Sequence, residues 1–379
     1  MNNPTSTTLP LLPPQNQKPL EEEDLGSLSY RQLVFRKFRK SKLGLVGVVL
    51  LLLLYGIAIL AEFFAPFDAS HNEMRLRYVP PQGIHFFDES GFHIVPFVYG
   101  LKETRNPDTL ELSFTQDKEK RYPIHLFHHG DPYRWFGLIS TDLHLIGSNG
   151  PFYIFGTDRM GRDLFSRILY GARVSLTVGL VGVFVSIILG SLLGTASGYW
   201  GGAVDMVIQR IIELLSSFPA IPLWMALAAA LPPRWSGLQV YFGITLILSL
   251  LGWGGLARQV RGKIMSLREA DYVLAARSAG ASNLYILLRH LLPTAYSHII
   301  VVATLSIPGM ILGETALSFL GLGIRPPLVS WGVLLEDSQR VTVVLNYPWL
   351  MIPALPVILT VIAFNFAGDA LRDAADPYG

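Results

Sequence analysis

Residues 258–293 read RQVRGKIMSLREADYVLAARSAGASNLYILLRHLLP, a polar stretch with a strongly apolar segment on each side. Its six basic residues are Arg258, Arg261, Lys263, Arg268, Arg277 and Arg289, and its two acids are Glu269 and Asp271. Its second half has leucines at the spacing of one face of an amphipathic helix, at positions 284, 287, 288, 291 and 292. The stretch therefore predicts a structured loop between two membrane spans, which we call the docking loop.

A glycine turn is predicted to divide the docking loop into two short helices. The residues around Gly280 have almost no side-chain bulk: Ala275, Ala276, Ala279 and Ala281. Glycine takes a positive φ without strain, so Gly280 is the natural turn residue. Ser282 can cap the second helix, and Pro293 marks its far end. Two short helices held around a turn at a membrane surface indicate a docking element.

A family resemblance rests on the motif Ala275-Ala276-x-x-x-Gly280 and on Leu292-Pro293. This motif resembles the EAA loop of ABC importer permeases, the coupling helix that inserts into a cleft on the ATPase subunit. Leu274 stands where that family usually has Glu, and His290 where it usually has Ile. The resemblance implies an ATPase-coupling set made of Asp271, Leu274, Ala275, Ala276, Arg277, Gly280, Ser282, His290 and Pro293. A basic amphipathic loop that rests on anionic lipid is the alternative interpretation.

Three further segments resemble the oligopeptide/dipeptide branch of that family, as a C-type permease subunit. They are residues 156–176 before the second span, 314–332 at the exit of the fifth span, and 364–377 at the C-terminus. The resemblance covers roughly residues 30–65 and 156–379. It implies an all-α polytopic membrane protein of the type I ABC importer permease fold, with six transmembrane helices.

Composition independently indicates a polytopic membrane protein. The chain is 51% hydrophobic and 15% charged, with a mean hydropathy of +0.40. A net charge of +2 argues against nucleic-acid binding as a main task. The absence of cysteine excludes disulfides, thiolate metal sites and cysteine nucleophiles.

Hydropathy and charge divide the chain into four parts. They are a cytoplasmic tail with a basic flank over 1–42, a first transmembrane helix over 43–65, an extracytoplasmic insert with a pre-helix segment over 66–170, and a permease core of five helices over 171–379. Residues 1–29 are expected to be disordered. Basic residues before the first span and in the docking loop predict that both termini lie in the cytoplasm. The implied location is the bacterial plasma (inner) membrane.

The insert has the alternating hydropathy of a small, mainly β domain. Residues 84–87 and 92–95 flank Asp88-Glu89-Ser90-Gly91, which predicts a hairpin. Residues 110–114 and 122–127 flank a second polar segment, which predicts a second turn. His125, His128 and His129 suggest a metal site, but no carboxylate or thiolate pattern completes one. Surface histidines on strands are therefore the favoured interpretation.

Four charged residues are candidates for the outer mouth of a passage: Asp158, Arg162, Asp163 and Glu314. Asp158 and Asp163 suit turn and helix caps, and nearby arginines can pair with them, so a folding role is favoured over substrate contact. Glu314 follows Pro293 by about 32 Å of helix, which places it at the outer boundary of the bilayer. A helix-packing hydrogen bond is favoured for Glu314 over a gate or substrate contact.

Three function classes compete. A secondary transporter would need coupling acids near the midplane, but the spans are free of charge apart from Glu314 and helix-end residues. A membrane-embedded enzyme would need a catalytic motif in or near the spans, and none is present. A permease subunit of an ATP-driven importer fits best. No Gly-x-x-x-x-Gly-Lys-Ser/Thr loop occurs, so no cofactor is expected on this chain, and ATP and Mg are expected in partner subunits.

The resemblance also implies partners and a cargo. The partners are a second homologous permease, two cytosolic ABC ATPase subunits, an extracytoplasmic substrate-binding protein and the lipid bilayer. Peptides are the main expectation for the cargo, with nickel chelates or glycans as the alternative.

Overall fold

The computed structural model describes residues 30–89, 91–105 and 112–375. The prediction of a disordered tail over 1–29 lies outside these residues. Within them, five helices are long and apolar enough to cross a membrane, and a sixth span is present if one sharply bent helix pair counts as a single span. The predicted set of six spans thus corresponds to five helices and one broken pair.

The N-terminal helices are α1 (Tyr30–Lys40), α2 (Lys42–Ile59) and α3 (Ala61–Phe64). Ser41 separates the basic α1 from the apolar α2, and its hydroxyl accepts a hydrogen bond from the Gly44 N–H at 3.1 Å. This N-cap satisfies one of the free amides at the start of α2. The first span predicted over 43–65 is therefore α2 followed by the single turn of α3.

The insert forms one antiparallel sheet in the strand order β1-β2-β3-β4. The strands are β1 (His85–Asp88), β2 (Gly91–Arg105), β3 (Leu112–Trp135) and β4 (Ile139–Ser148). The hairpin predicted around residues 88–91 is confirmed, because Asp88 pairs with Gly91 and Phe87 with Phe92. A small, mainly β insert is therefore present, as predicted.

The second turn predicted in the insert is wrong. Residues 112–135 form one continuous strand, β3, and the polar segment lies inside it. The register jumps from Tyr99↔Arg121 to Gly100↔Asp117, so residues 118–120 bulge out of the β2–β3 ladder. The physical reason is the length of β2, which keeps pairing beyond the polar residues and leaves their charged side chains in solvent.

The core begins with α4 (Leu164–Trp200), α5 (Gly202–Ser216), α6 (Ala220–Ala229) and α7 (Gly237–Leu267). Glycines on α4 let α7 approach closely. A Cβ on Gly194 would lie 2.5 Å from the Ala257 carbonyl oxygen, and one on Gly198 would lie 2.8 Å from that of Arg261. This packing brings the last turns of α4 and α7 together.

The third span is broken into two helices. The axes of α5 and α6 differ by 85° across residues 217–219. Pro219 has no N–H to donate, and its ring disfavours helical geometry at Phe218. The helix therefore ends at Ser216 and restarts at Ala220.

The rest of the core consists of α8 (Asp271–Ser278), α9 (Asn283–Ile286), a π turn (Leu287–Leu291), α10 (Leu292–Phe319), α11 (Trp331–Leu335), a 3-10 turn (Glu336–Gln339), α12 (Val341–Asn346), a second 3-10 turn (Pro348–Met351) and α13 (Ala354–Ala375). α13 packs on α2, where a Cβ on Gly47 would lie 2.6 Å from the Ala363 carbonyl oxygen. The first and last spans are therefore neighbours.

Both predicted ends of the docking loop need correction. α7 continues to Leu267, so the first ten residues of the predicted loop, 258–267, form the last helical turns of α7. Pro293 does not end a helix, because α9, the π turn and α10 form one continuous helical segment from Asn283 to Phe319. A proline ring clashes with the carbonyl four residues earlier in an α-helix, and the wider π turn just before Pro293 relieves that crowding.

Candidate coupling site

The turn at Gly280 closes α8 with a Schellman motif. Gly280 has a φ of +80° and donates its N–H to the Arg277 carbonyl at 3.0 Å. Ala281 donates to the Ala276 carbonyl at 3.0 Å. These two bonds satisfy carbonyls at the end of α8 and require a left-handed residue between them. The predicted turn residue is therefore confirmed.

Ser282 starts the second helix of the predicted pair. Its hydroxyl accepts a hydrogen bond from the Tyr285 N–H at 3.3 Å, which confirms it as the N-cap of α9. Asp271 is the first residue of α8, where the helix dipole favours a negative charge. The predicted pair of helices around Gly280 is thus present as α8 and α9, and α9 continues into the helical segment that runs to Phe319.

The inner face of the docking loop is apolar and buried. Val273, Ile286 and Leu291 are fully buried against Val260 and Ile264 of α7. Each buried side chain of this size stabilises the packing by roughly 1.5–3 kcal/mol. The inner face of the loop therefore packs on α7 as part of one apolar core.

The outer face carries large side chains that are exposed: Tyr272, Leu274, Leu284, Tyr285 and Leu288. The predicted leucine stripe does not share one face, because Leu287 and Leu291 are buried while Leu284 and Leu288 are exposed. At roughly 100° per residue, Leu287 and Leu291 lie on one edge of the stripe and Leu284 and Leu288 on the other, and the core covers only the first edge. The result is apolar surface on both sides of the loop.

His290 joins the two helices through ring contacts. Its ring centroid lies 6.3 Å from that of Tyr272 and 5.6 Å from that of Tyr285. An aliphatic side chain at this position would fill space without the directional edge contacts of an aromatic pair. Ala275, Arg277 and Gly280 are exposed beside this cluster, and Ala276 is half-buried.

The docking loop is attached to the end of α4 through Tyr199, a residue that sequence reasoning missed. The Tyr199 hydroxyl donates to Asn283 Oδ1 at 2.8 Å. The Arg277 guanidinium lies 5.7 Å from the centroid of the Tyr199 ring, within cation–π range. The available signal was the aromatic pair Tyr199-Trp200 at the end of an apolar span, which is typical of a membrane boundary.

A second link, between α5 and α7, was also missed. Asp205 accepts two hydrogen bonds from Arg261, one from Nε and one from Nη2, each at 2.6 Å. Ser197 of α4 donates to the same carboxylate at 2.5 Å. A bidentate arginine–carboxylate pair fixes geometry as well as charge. These contacts therefore connect α4, α5 and the last turns of α7.

Asp158 and Asp163, the predicted outer-mouth acids, make local caps and ion pairs. Asp158 accepts from the backbone N–H groups of Met160 at 2.8 Å and Arg162 at 3.0 Å, and from Arg162 Nε at 2.7 Å. It also pairs with Arg167. Asp163 caps α4 by accepting from the Ser166 N–H at 2.7 Å, and burial raises the pKa of its carboxyl to about 6. The predicted caps and ion pairs are confirmed.

Glu314 is fully buried between α4 and α10. It accepts hydrogen bonds from Ser318 at 2.6 Å and from Ser175 at 3.3 Å. Ser175 in turn accepts from the Trp331 N–H of α11 at 3.0 Å. The predicted helix-packing hydrogen bond is therefore present.

The histidines of the insert lie along paired strands. His128 faces His144 across β3 and β4, and His129 Nδ1 lies 2.9 Å from Asp142 Oδ1. That contact holds the pKa of the Asp142 carboxyl below its usual value. Over residues 30–89, 91–105 and 112–375, no group of three or more His, Cys, Asp or Glu side chains is arranged to hold a metal ion.

Two family models match the chain. Residues 182–378 match the binding-protein-dependent transport system inner membrane component, and residues 29–81 match the N-terminal TM domain of oligopeptide transport permease C. The first match contains the whole docking loop with its exposed apolar face. The second contains α1, α2 and α3.

Relatives match over most of their own length. The chain is 32% identical to the dipeptide transport system permease protein DppC of Bacillus subtilis, over 93% of this chain and 87% of that protein. It is 43% identical to the oligopeptide transport system permease protein OppC of Haemophilus influenzae, over 60% and 70%. It is 42% identical to the glutathione transport system permease protein GsiD of Escherichia coli, over 61% and 74%. Among solved structures, an inward-facing MetNI methionine ABC transporter chain aligns with a TM-score of 0.44 and 17% identity, over 55% of this chain and 96% of that one.

Proposed function

This chain belongs to the family of binding-protein-dependent transport system inner membrane components, and we propose that it is the C-type permease subunit of an ATP-driven peptide importer. Relatives at 32–43% identity are permeases named for dipeptides, oligopeptides and glutathione. These names favour peptides over nickel chelates or glycans as cargo.

The observation that carries the proposal is the outer face of the docking loop. Leu274, Leu284 and Leu288 are 43%, 62% and 51% exposed around a turn that presents no side chain at Gly280. An exposed apolar patch of this kind marks a surface that binds a protein or a membrane. We assign it to a cleft on a cytosolic ATPase subunit, where the coupling residues from Asp271 to Pro293 meet the partner. ATP and Mg bind there, on the ATPase.

Transport would follow from the links beneath the docking loop. Closure of two ATPase subunits on ATP moves the docking loops of this chain and of a second, homologous permease. Tyr199 and the Asp205–Arg261 pair pass that movement to α4, α5 and α7. The helices then tilt as rigid bodies and open the passage toward the extracytoplasmic binding protein, which delivers the peptide.

The proposed orientation has both termini and the docking loop in the cytoplasm and the β insert outside. The basic residues of α1 precede the first span, and those of the docking loop lie in the last turns of α7 and in the residues after it. Such residues are enriched on the cytoplasmic side of short loops. Asp158, Arg162, Asp163 and Glu314 then lie toward the outer side, where we assign them to folding rather than to substrate contact.

Peptide uptake tests the proposed function. The chain is expressed with its ATPases, partner permease and binding protein in bacteria that lack their own peptide permeases. Uptake of a labelled tripeptide is compared with uptake of a labelled nickel chelate. We expect ATP-dependent accumulation of the peptide, abolished when this chain alone is omitted. Accumulation of the nickel chelate without the peptide would assign the cargo to the alternative class.

A further inference from the structure

The turn that joins β3 to β4 is apolar throughout. Residues 135–139 read Trp-Phe-Gly-Leu-Ile, with no charged or amide side chain. Phe136 is 55% exposed, Leu138 87% and Ile139 55%. Solvated turns between strands are normally built from Gly, Pro, Asn, Asp and Ser. A turn with this composition is adapted to a surface other than water.

The position of this turn identifies that surface. Trp135 Nε1 donates to the carbonyl oxygen of Ile59 at 3.0 Å, and Ile59 is the last residue of the membrane span α2. The Arg173 guanidinium lies 4.9 Å from the centroid of the Phe136 ring and donates through Nε to the Ala58 carbonyl at 3.1 Å. The turn is therefore held against the end of the first span.

Arg173 also marks the edge of the hydrocarbon. It pairs with Glu62 at 2.7 Å, and the 27 residues after it on α4, 174–200, carry no charge. A charged residue followed by an uncharged segment of that length is expected at the boundary between the headgroups and the acyl chains. Phe136 stacks against Arg173 and so lies at the same depth.

We propose that the β3–β4 turn, residues 135–139, lies in the interfacial layer of the bilayer and anchors the insert to the lipid surface beside α2 and α4. Trp135 suits this layer, because its indole N–H is hydrogen-bonded while its ring is apolar. The turn continues the apolar surface of α2, where Leu52 is 68% and Ile59 49% exposed. That continuity favours lipid over a protein partner as the occupant.

Site-directed fluorescence tests the anchor in the full chain, reconstituted in lipid nanodiscs. The chain has no cysteine, so Leu138→Cys and Ile94→Cys can each be labelled with bimane on a clean background. Ile94 lies on β2 and is the matched control, because it is exposed to the same 87%. Both side chains are exposed, so neither substitution removes core packing.

The two labels should respond oppositely. We expect the label at 138 to emit at shorter wavelength, and to be quenched several-fold more by nitroxide lipids than by aqueous iodide. The label at 94 should show the reverse preference. Iodide quenching at 138 equal to that at 94 would overturn the proposal. Protection of 138 from both quenchers would also overturn it, in favour of a covering protein.

Discussion

Asp163 combines two opposing effects at the start of α4. Its carboxylate caps the helix, yet burial raises the pKa of that carboxyl to about 6, above the value near 3.9 of an unfolded chain. The folded state therefore binds the proton more tightly than the unfolded state. Tighter proton binding by Asp163 in the folded state increases the free energy of unfolding. This contribution is fully present below about pH 4 and is lost as the pH rises through 6.

We predict that Asp163→Asn removes this pH dependence. Asparagine caps helices about as well as aspartate and stays neutral. At pH 4 the two proteins should be about equally stable. By pH 8 the variant should be the more stable one, by at most about 3 kcal/mol at roughly 1.4 kcal/mol per pKa unit. Tryptophan-fluorescence melting in detergent between pH 4 and 8 measures the difference. A constant difference across that range would contradict the burial argument.

Single residues could be predicted from the sequence where their partners are close along the chain. Gly280, Ser282 and Asp163 satisfy backbone groups within a few residues, so turn and cap preferences identify them. Glu314 and Tyr199 depend on partners such as Ser175 and Asn283, which lie 139 and 84 positions away. Such contacts depend on helix packing, which local preferences do not encode.

At the scale of elements, the proposed mechanism depends on the connection between α4 and the docking loop. Through it, movement of a bound ATPase subunit would reach the membrane helices. Tyr199 at the end of α4 reaches Asn283, the first residue of α9. A hydrogen bond between neutral side chains contributes about 1 kcal/mol to stability. Its larger role in the proposed mechanism is to make α4 follow the docking loop.

We predict that Tyr199→Phe keeps ATPase binding and reduces peptide uptake several-fold, because the hydroxyl that ties α4 to α9 is absent. Tyr272→Phe is the matched control: Tyr272 lies in the docking loop, and its ring contact with His290 survives the change. Peptide uptake is measured for Tyr199→Phe, for Tyr272→Phe, for Asn283→Ala and for the double variant Tyr199→Phe/Asn283→Ala. Additive losses in Tyr199→Phe and Asn283→Ala would show that the two residues act separately.

Several elements departed from prediction for identifiable reasons. Helical spacing cannot show where α7 leaves the bilayer, so the sequence predicts a loop from Arg258 to Leu267 where the structure continues the helix. Pro293 signals a helix end unless a π turn precedes it, and a π turn has no clear sequence signature. The register of β3 depends on the length of its partner β2, which the polar residues 118–120 do not reveal.

At the scale of the whole molecule, the orientation of the spans follows from the basic residues and can be tested directly. We predict that Ser113→Cys, in the insert, reacts with an impermeant thiol reagent added to intact cells. Ser278→Cys, at the end of α8, should react only after the membrane is opened. Both serines are exposed, so access and not burial decides the labelling. The opposite pattern would reverse the proposed topology.

The membrane architecture was predictable because apolar length and charge placement constrain it strongly. The arrangement of spans around one another was not. Close approaches such as Gly194 to Ala257 and Gly47 to Ala363 connect helices far apart in the chain. The same holds for the insert, whose hairpin at residues 88–91 is local but whose attachment through Trp135 to Ile59 spans 76 positions.

The central claim is that the turn at Gly280 docks on an ATPase, and ATPase co-purification with glycine variants tests it most directly. Gly280 and Gly91 both have positive φ, +80° and +119°, and a Cβ at either would meet nothing within 4 Å. Tryptophan at either position thus carries backbone strain of roughly 1–3 kcal/mol. Only the one at 280 adds bulk to the docking surface.

We predict that Gly280→Trp inserts normally into the membrane but retains at least tenfold less ATPase on purification and imports no peptide. Gly280→Ala carries the strain with little bulk and should keep most of the ATPase. Gly91→Trp should keep both ATPase binding and uptake. Normal ATPase retention and uptake by Gly280→Trp would contradict the docking role of this loop.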